Sequence, residues 1–425
     1  MPKLNIAMLS YHTCPLATLG GKDTGGMNVY VREITRQLGV DGVHVDVFTR
    51  SQDEHVPHVL HDLGYGNRVV HVPAGPEEPM AKQQLASYLP EFVHGIRAFA
   101  ESKGIQYDLI HSHYWMSGIA ALQLKEAWKV PVVHMFHTLG VMKNRVARGS
   151  GEREGDYRIM GEKQVLESAD RIIAATPAEQ SQLQFLYQAD RRRIVIIPPG
   201  VDTCHFYPIP RDEAKEFIGV MPCERNLLFV GRIEPLKGLD VLLQAIVLIR
   251  EMRPDLSVCL SIIGGEPDAS QDTMTVEMTR IQTLREQYGL QNLVALLGKR
   301  GQDTLPYYYS AAEVVVVPSH YESFGMVALE AMACGTPVVA SEVGGLAFLV
   351  LDGKTGYTVP VGDPPALADR LIALLSDDDL HQRLSQQAAE YAREYAWDRI
   401  VQRLKQVYWD LLENREAVNL SHGGI

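Results

Sequence analysis

The sequence predicts an α/β protein built from two doubly wound domains, and three observations lead to this. Short runs rich in β-branched residues alternate with longer stretches of helical periodicity, which is typical of parallel sheets covered by helices. The 425 residues exceed what one core usually serves. The alternation stops once, in a proline-rich stretch at residues 197–210, and then resumes. We therefore predict an N-terminal domain at residues 1–200 and a C-terminal domain at 201–396.

The predicted strands of the first domain are short, and the segments between them have the apolar spacing of amphipathic helices, clearest at residues 28–38 and 90–101. This order predicts one parallel sheet with its helices packed on both faces. Strands are predicted at residues 4–9, 43–48, 69–72, 109–113, 131–136, 171–174 and 194–197.

The second domain repeats the pattern. Apolar residues recur at helical spacing again near the end of the chain, and we expect a helix at about 397–415 that packs back on the first domain. Strands are predicted at 226–230, 257–263, 293–297, 314–317 and 338–340, with helices at 237–250, 274–288 and 325–333.

Composition excludes several classes of partner. The formal charge of −12 weighs against binding to nucleic acid or to anionic membranes. No apolar run is long enough for a membrane span, and the start of the chain is too polar for a signal peptide. The five cysteines are scattered and form no C-x-x-C pair, which predicts a protein of the reducing cytoplasm.

Ligands of open α/β sheets bind at the carboxyl ends of strands, so two such domains predict a deep cleft. The loop after the first strand reads GGKDTGGMN over residues 20–28 and leads into a helix. Its glycines, among them Gly25 and Gly26, let backbone amides approach an anion closely. Because the spacing is not G-x-G-x-x-G, a nicotinamide cofactor is disfavoured.

Four histidines lie at the ends of two predicted strands of the first domain. His111 and His113 alternate at the end of one strand, and His134 and His137 lie on either side of the end of another. No carboxylate or thiol lies among them to complete a ligand set, so we predict no metal site. His137, at the carboxyl end of its strand, is the candidate for a hydrogen-bonding role.

Two cations of the second domain suit a diphosphate. Arg232 follows a strand, and Lys237 is predicted at the start of the next helix. A guanidinium, an ammonium group and a helix N-terminus could therefore meet on one ligand. The alternative interpretation is that both are ordinary solvated charges on a loop.

The strongest motif of the second domain is a pair of glutamates, Glu322 and Glu330. We predict Glu322 at a strand-to-helix turn and Glu330 two turns later on the same helical face. The neighbours of Glu330 are apolar, which predicts a buried carboxylate that needs partners. The turn that carries Glu322 offers the backbone amides of Ser323 to Val327.

Together, the E-x7-E pair, Arg232 with Lys237, and the glycine loop resemble the retaining family 4 glycosyltransferases of GT-B fold. The resemblance implies two Rossmann-like doubly wound domains facing a deep cleft. It also implies a hexosyltransferase that uses a nucleoside diphosphate sugar, usually UDP-linked, with retained anomeric configuration. No cofactor would be obligatory, although Mg²⁺ stimulation is left open.

Two groups of that family share motifs with the chain. The sequence DTGG at residues 23–26 resembles sucrose-phosphate synthases, whereas residues 26–30, 111–115 and 137–139 resemble D-inositol-3-phosphate glycosyltransferases. Our main expectation is transfer from UDP-glucose, or another nucleoside diphosphate glucose, to fructose 6-phosphate, giving sucrose 6-phosphate. The alternative is transfer of N-acetylglucosamine from UDP-N-acetylglucosamine to inositol 3-phosphate. A non-catalytic nucleotide-sugar sensor and an epimerase are further alternatives.

The resemblance also implies residue roles. The catalytic group would be His137, Arg232, Lys237 and Glu322. The donor would bind Gly25, Gly26, Arg232, Lys237, Glu322, Phe324, Gly325, Met326, Val327 and Glu330. The phosphorylated acceptor would bind Asn28, Lys82, Tyr114, Thr138 and Arg158. Partners would then be small molecules only, with neither nucleic acid nor membrane, and the sequence predicts no particular oligomeric state.

Overall fold

A computed structural model of the chain describes residues 4–17, 24–147, 149, 151, 153–219, 225–267 and 274–422. Within these residues the chain forms two compact units. The first contains the described residues up to 198 together with those from 397 onward, and the second contains residues 199–396.

The first unit is built on an eight-stranded sheet in which every described pairing is parallel except that of its short edge strand, β3. The strand order is β3-β4-β2-β1-β5-β6-β7-β8. Most residues of these strands are buried, as expected for a parallel sheet with both faces covered. The strands are β1 Asn5–Leu9, β2 His44–Arg50, β3 Val59–Leu60, β4 Arg68–Val72, β5 Leu109–His113, β6 Val132–Met135, β7 Arg171–Ala174 and β8 Ile194–Ile196.

Helices connect successive parallel strands of this sheet except between β2 and β4, which only β3 separates in the chain. The first of them buries Tyr30, Ile34 and Leu38, at intervals of four residues, because this spacing places them on one helical face. The helices are α1 Gly26–Val40, α2 Lys82–Leu85, α3 Leu89–Lys103, α4 Trp115–Trp128, α5 Gly140–Val146, α6 Asp156–Ser168 and α7 Pro177–Tyr187.

The second unit has a six-stranded parallel sheet in the order β11-β10-β9-β12-β13-β14. Its strands are β9 Arg225–Val230, β10 Val258–Ile263, β11 Val294–Gly298, β12 Val314–Val317, β13 Val338–Ser341 and β14 Gly356–Val359. Its helices are α8 Arg211–Ile218, α9 Leu239–Met252, α10 Val276–Gln287, α11 Leu305–Ala311, α12 Met326–Ala333, α13 Leu346–Leu349, α14 Pro364–Ser376 and α15 Asp378–Ala392.

The last helix, α16 (Trp397–His422), packs against α1 in the first unit. Ile400, Leu404 and Tyr408 are buried at four-residue intervals. The Tyr408 hydroxyl lies 2.7 Å from Nδ1 of His111, on β5. On the helix surface, Lys405 Nζ lies 2.9 Å from Asp41 Oδ2, just after α1.

Most predicted strands occur within two residues of their predicted bounds, but two strands were missed. β3 has only two residues, too few for any periodicity, and β14 begins with a glycine, which strands disfavour. The prediction that Lys237 starts a helix is wrong, because it ends a 3₁₀ turn and α9 begins two residues later.

Among the described residues no helix combines the length and the apolarity needed to cross a membrane. Cys14, Cys204 and Cys334 are free.

The Tyr408–His111 hydrogen bond should stabilise the first unit. Both residues are fully buried, so Tyr408→Phe leaves His111 Nδ1 without this partner. We expect it to lower the free energy of unfolding by about 1–3 kcal/mol, the usual penalty for an unsatisfied buried polar atom. Urea unfolding followed by circular dichroism measures this. Tyr65→Phe, at a ring 67% exposed, is the matched control, and equal effects of the two substitutions would contradict the assignment.

Candidate functional site

Each sheet contains one point at which the strand order reverses. It lies between β1 and β5 in the first unit and between β9 and β12 in the second. The loops that leave the carboxyl ends of the two strands diverge there, which opens a crevice for ligands. Apart from Glu330, the predicted site residues lie on loops and helix starts, and each unit is described in turn.

In the first unit, Asn28 orders the loop between β1 and α1. Its Oδ1 accepts a hydrogen bond from the Gly25 amide at 2.9 Å, and its Nδ2 donates to Thr13 Oγ1 and to the carbonyl of Cys14, both at 2.7 Å. The side chain is therefore occupied within the loop. The upstream part of the predicted glycine loop, residues 20–23, lies outside the described residues.

Two predicted site residues have unusual backbone geometry. Tyr114 directly follows β5 with φ 71°, and His137 follows β6 with φ 62°. A residue with a side chain rarely adopts this left-handed region, and such strain concentrates at functional sites. The two strands are neighbours, so both strained residues lie at one edge of the sheet.

The ring of Tyr114 gathers groups from distant parts of the chain. The Arg158 guanidinium carbon lies 4.9 Å from its ring centroid, and Lys82 Nζ lies 5.7 Å from it. Both distances suit cation–π interaction. The His12 ring, on the loop after β1, lies 4.4 Å from the same ring. Burial raises the pKa of Tyr114 to about 12, so its hydroxyl stays protonated at neutral pH.

Arg158 is the most constrained of these cations, since its side chain is only 1% exposed. Nε donates to Glu162 Oε1 at 2.8 Å, and Nη1 donates to Glu154 Oε1 at 2.6 Å. Nη2 donates to the Thr138 carbonyl at 2.9 Å and to its Oγ1 at 3.0 Å. The predicted pair Thr138 and Arg158 is thus in direct contact, and a buried guanidinium is kept charged by full pairing.

Glu162 is a site residue that the sequence analysis missed. It is fully buried, and besides Arg158 it accepts hydrogen bonds from the Gly140 amide and the Tyr187 hydroxyl. These contacts tie α6 to the start of α5 and the end of α7. The i, i+4 spacing from Arg158 was the signal that could have revealed it.

Glu154 was missed as well, and its side chain lies between two cations. Besides Arg158, Lys143 Nζ lies 3.0 Å from Oε1. Asn144 holds the backbone of Glu154, accepting from its amide at 2.6 Å and donating to its carbonyl at 3.1 Å. Burial would raise the pKa of this carboxyl, but Arg158 and Lys143 lower it below its usual value. Glu154 is therefore ionised at neutral pH.

The buried histidines form a neutral cluster beside this region. His113 Nδ1 lies 3.0 Å from His137 Nε2, and His134 Nδ1 lies 2.8 Å from Ser112 Oγ. Burial lowers the pKa of His137 to about 3. No group of three potential ligands in the described part of the chain is arranged to hold a metal ion. The His137 ring is therefore uncharged at neutral pH.

In the second unit, an ion pair joins the two loops that flank the reversal point. Lys237, after β9, places Nζ 2.5 Å from Oε2 of Glu322, after β12. Both side chains are about one-fifth exposed, at 21% and 18%. Arg232 pairs with Glu234 at 2.7 Å. The two predicted cations are present at one edge of the sheet, and each has a carboxylate partner.

Glycines allow these loops to approach each other. A Cβ on Gly238, which has φ 66°, would lie 2.1 Å from the Pro318 carbonyl oxygen, which is closer than atoms can come. The Gly345 amide donates to the Glu322 carbonyl at 3.0 Å, and a Cβ on Gly344 would clash with the same carbonyl. The pair Gly344–Gly345 follows β13, and tandem glycines after a strand were an available signal that the sequence analysis did not use.

The two glutamates of the motif differ in their surroundings. Because α12 begins at Met326, Glu322 lies in the preceding turn, and the prediction that both share one helical face is wrong. Glu330 is on α12, buried, and accepts from the Tyr309 hydroxyl at 2.8 Å. Phe324 and Gly325 are buried at the helix start, where Met326 and Val327 are half-buried.

Comparison with known proteins identifies the family. Residues 24–205 match the model described as Glycosyltransferase Family 4, and residues 211–391 match Glycosyl transferases group 1. A D-inositol 3-phosphate glycosyltransferase of Catenulispora acidiphila is 40% identical over 416 residues, covering 97% of this chain and 96% of that protein. The chain belongs to the family 4 glycosyltransferases. The family predicted from the motifs is thereby confirmed.

Other members of the family are similarly close. A D-inositol 3-phosphate glycosyltransferase of Actinosynnema mirum is 41% identical, covering 95% of this chain and 96% of that protein. The solved sucrose-phosphate synthase of Thermosynechococcus elongatus is 35% identical with a TM-score of 0.87, covering 97% of this chain and 100% of that one. The predicted GT-B fold and the hexosyltransferase class are confirmed.

The buried histidines of this glycosyltransferase should make it sensitive to acid. Burial lowers the pKa of His12, His111, His113 and His134. Below pH 6.5 the unfolded chain binds protons that the folded chain does not, so stability falls as pH falls. With His137, whose pKa burial also lowers, five such groups give a loss of roughly 7 kcal/mol between pH 7.5 and 5.5, and the raised pKa of buried Glu179 offsets about 2 kcal/mol of it.

Urea unfolding at pH 7.5, 6.5 and 5.5 measures this loss. His55→Gln is the control, because the ring of His55 is 85% exposed and its removal should leave the pH dependence unchanged. A stability that is constant across this range would show that these histidines are not held neutral.

Proposed function

We propose that the enzyme transfers N-acetylglucosamine from UDP-N-acetylglucosamine to inositol 3-phosphate with retention of the anomeric configuration. The observation that carries the proposal is the group of Lys82 and Arg158 around Tyr114, with Thr138 bonded to Arg158. A site with two cations suits a phosphorylated acceptor. The relatives named D-inositol 3-phosphate glycosyltransferase favour this acceptor over the fructose 6-phosphate of our main sequence-based expectation.

On the acceptor side, the phosphate would accept hydrogen bonds from Lys82, from the Tyr114 hydroxyl and from Arg158. Arg158 is held by Glu162 and Thr138, so it needs little reorganisation when a ligand binds, which favours affinity. Asn28 would contribute by fixing the loop that carries Gly25 and Gly26.

On the donor side, the diphosphate would lie on Arg232 and Lys237 and on the free amides at the start of α12. It would replace Glu322 on Lys237, which releases that carboxylate to accept a hydrogen bond from the donor sugar. Glu330, already bonded to Tyr309, would accept from the ribose, and neutral His137 would bond an outer hydroxyl of the sugar.

In the proposed reaction the acceptor hydroxyl attacks the anomeric carbon on the face from which UDP departs. The bond between that carbon and the phosphate oxygen breaks, and the proton of the hydroxyl passes to a donor phosphate oxygen. No enzymic nucleophile takes part. Arg232 and Lys237 stabilise the charge that develops on the leaving diphosphate, and neither step requires a metal.

Sucrose-phosphate synthesis is the second candidate. It is favoured by the likeness to the Thermosynechococcus elongatus enzyme, at 35% identity and a TM-score of 0.87. Of the residues that led the sequence analysis to prefer it, Asp23 lies outside the described part of the chain. Both candidates use an acceptor phosphate, so the same cations would serve either.

A matrix of substrates tests the proposal. UDP release is measured for UDP-N-acetylglucosamine and UDP-glucose, each with inositol 3-phosphate, fructose 6-phosphate, inositol and fructose. We expect the first donor with inositol 3-phosphate to give the highest kcat/KM, and inositol to be at least about a hundredfold poorer because two charge-assisted contacts are lost. Preference for UDP-glucose with fructose 6-phosphate would establish the second candidate. UDP binding without turnover would indicate a sensor, and sugar conversion without any acceptor an epimerase.

Removal of the Lys237 side chain should lower the turnover number. We expect Lys237→Ala to lower kcat roughly a hundredfold, as loss of one group that stabilises transition-state charge does. The thermal midpoint should change little because the side chain is partly exposed. Lys354→Ala, at an exposed lysine of the same unit, is the control and should keep full activity. Its activity should also be unchanged when EDTA removes divalent metal ions. An unchanged kcat in Lys237→Ala would remove Lys237 from catalysis.

A further inference from the structure

The surroundings of Arg158 raise a problem for an acceptor phosphate. The proposed function places the phosphate on this guanidinium, yet the side chain is only 1% exposed. Its hydrogen-bond partners are Glu162, Thr138 and Glu154, and the Tyr114 ring lies against the guanidinium. A ligand can therefore reach Arg158 only if one of these partners moves away.

Two of the three partners are fixed. Glu162 is fully buried and also accepts from the Gly140 amide and the Tyr187 hydroxyl. Moving it would leave several buried polar groups without partners, which is strongly unfavourable. Thr138 bonds Arg158 partly through its backbone carbonyl, which cannot leave without displacing the chain next to His137.

Glu154 is the partner that can be exchanged. Its side chain is 22% exposed, so the displaced carboxylate can be hydrated. Its backbone is anchored separately, by the two hydrogen bonds to Asn144, so the side chain can swing out while the loop stays in place. It leaves behind Nη1 of Arg158, at 2.6 Å from Oε1, and Nζ of Lys143, at 3.0 Å.

These two donors, once released, suit a phosphate. Lys143 and Arg158 would present two cationic donors to one anion, with Lys82 near the same Tyr114 ring. A phosphate monoester carries about −1.5 to −2 charges and three acceptor oxygens at neutral pH. It exceeds a carboxylate in both respects, so it can displace Glu154, whereas an uncharged hydroxyl cannot.

We propose that Glu154 is an internal counter-ion that occupies the position of the acceptor phosphate and is displaced by it. This inference rests on the proposed function for the identity of the ligand. It makes Glu154 a specificity-determining residue, since an acceptor without phosphate leaves the Glu154–Arg158 pair closed. It also adds Lys143 to the acceptor site, which the sequence analysis did not include.

Displacement of Glu154 should lower the affinity of the enzyme for phosphate by a measurable factor. In most molecules of the free enzyme the Glu154–Arg158 ion pair is formed, and only a small open fraction has it broken. The apparent dissociation constant of an anion is then its intrinsic value divided by this open fraction. Glu154→Gln keeps the size of the side chain but removes its charge. We expect this variant to bind inorganic phosphate about tenfold more tightly than the natural enzyme does, which corresponds to an open fraction of about one-tenth.

The dissociation constant of inorganic phosphate is measured by isothermal titration calorimetry on the 425-residue chain. Saturating UDP is present so that the donor site is filled. Glu167→Gln removes the same charge from an exposed position of α6 and should bind phosphate as the natural chain does. The gain in phosphate affinity of Glu154→Gln should disappear when Lys143→Met is added, because the phosphate would then lack one of its two cationic partners. Glu154→Ala should act in the same direction, and thermal denaturation verifies that each variant is folded.

Unchanged or weaker phosphate binding in both Glu154 variants would overturn the inference, and so would a gain that survives Lys143→Met. The outcome is separable from that of the proposed function. Tighter phosphate binding by Glu154→Gln without turnover of any phosphorylated acceptor would contradict the proposed function but support the counter-ion role of Glu154. Turnover of inositol 3-phosphate with no gain in phosphate affinity in Glu154→Gln would support the function and contradict the counter-ion role.

Discussion

The polarity of parallel strands is the constraint on which the rest of this structure depends. Every parallel strand of a sheet presents its carboxyl end to the same edge, so the loops that follow the strands gather there. In the first unit this edge collects the loop after β1, Tyr114 after β5 and His137 after β6. In the second unit it places Lys237 and Glu322 on the two sides of one reversal point. Residues far apart in sequence become neighbours without any local motif that unites them.

The cations of the candidate site are paired with carboxylates. The cations Arg158, Arg232 and Lys237 each contact a carboxylate in this structure. An unpaired charge at a partly buried position would be costly, so a site that must bind anions needs an internal partner in the absence of ligand. Such partners also hold long side chains in place, which reduces the ordering required when a phosphate binds. An anion that binds to such a cation would therefore exchange one ion pair for another.

Much of the fold and part of the site could be predicted from sequence. Apolar periodicity located most strands closely, because burial on both sheet faces demands apolar runs. The motif around Glu322 and the pair Arg232 and Lys237 were visible for a similar reason, since each follows directly after a predicted strand. The partners were less accessible. Glu162 and Glu154 have no motif of their own, and the shared helical face assigned to Glu322 was wrong because a helix start depends on turn geometry that spacing does not encode.

The amino-acid sequence by itself determined the α/β class, the order of most elements, the glycosyltransferase family and the chemical types of the candidate site residues. These follow from local composition and from motifs that can be read within a few residues. Only the tertiary structure decided which side chains meet: Lys82 and Arg158 around Tyr114, Glu154 closing over Arg158, and Tyr408 bonded to His111. The physical reason is that such contacts join segments up to 297 positions apart, and their geometry is fixed by the packing of whole helices and strands rather than by any neighbouring residues.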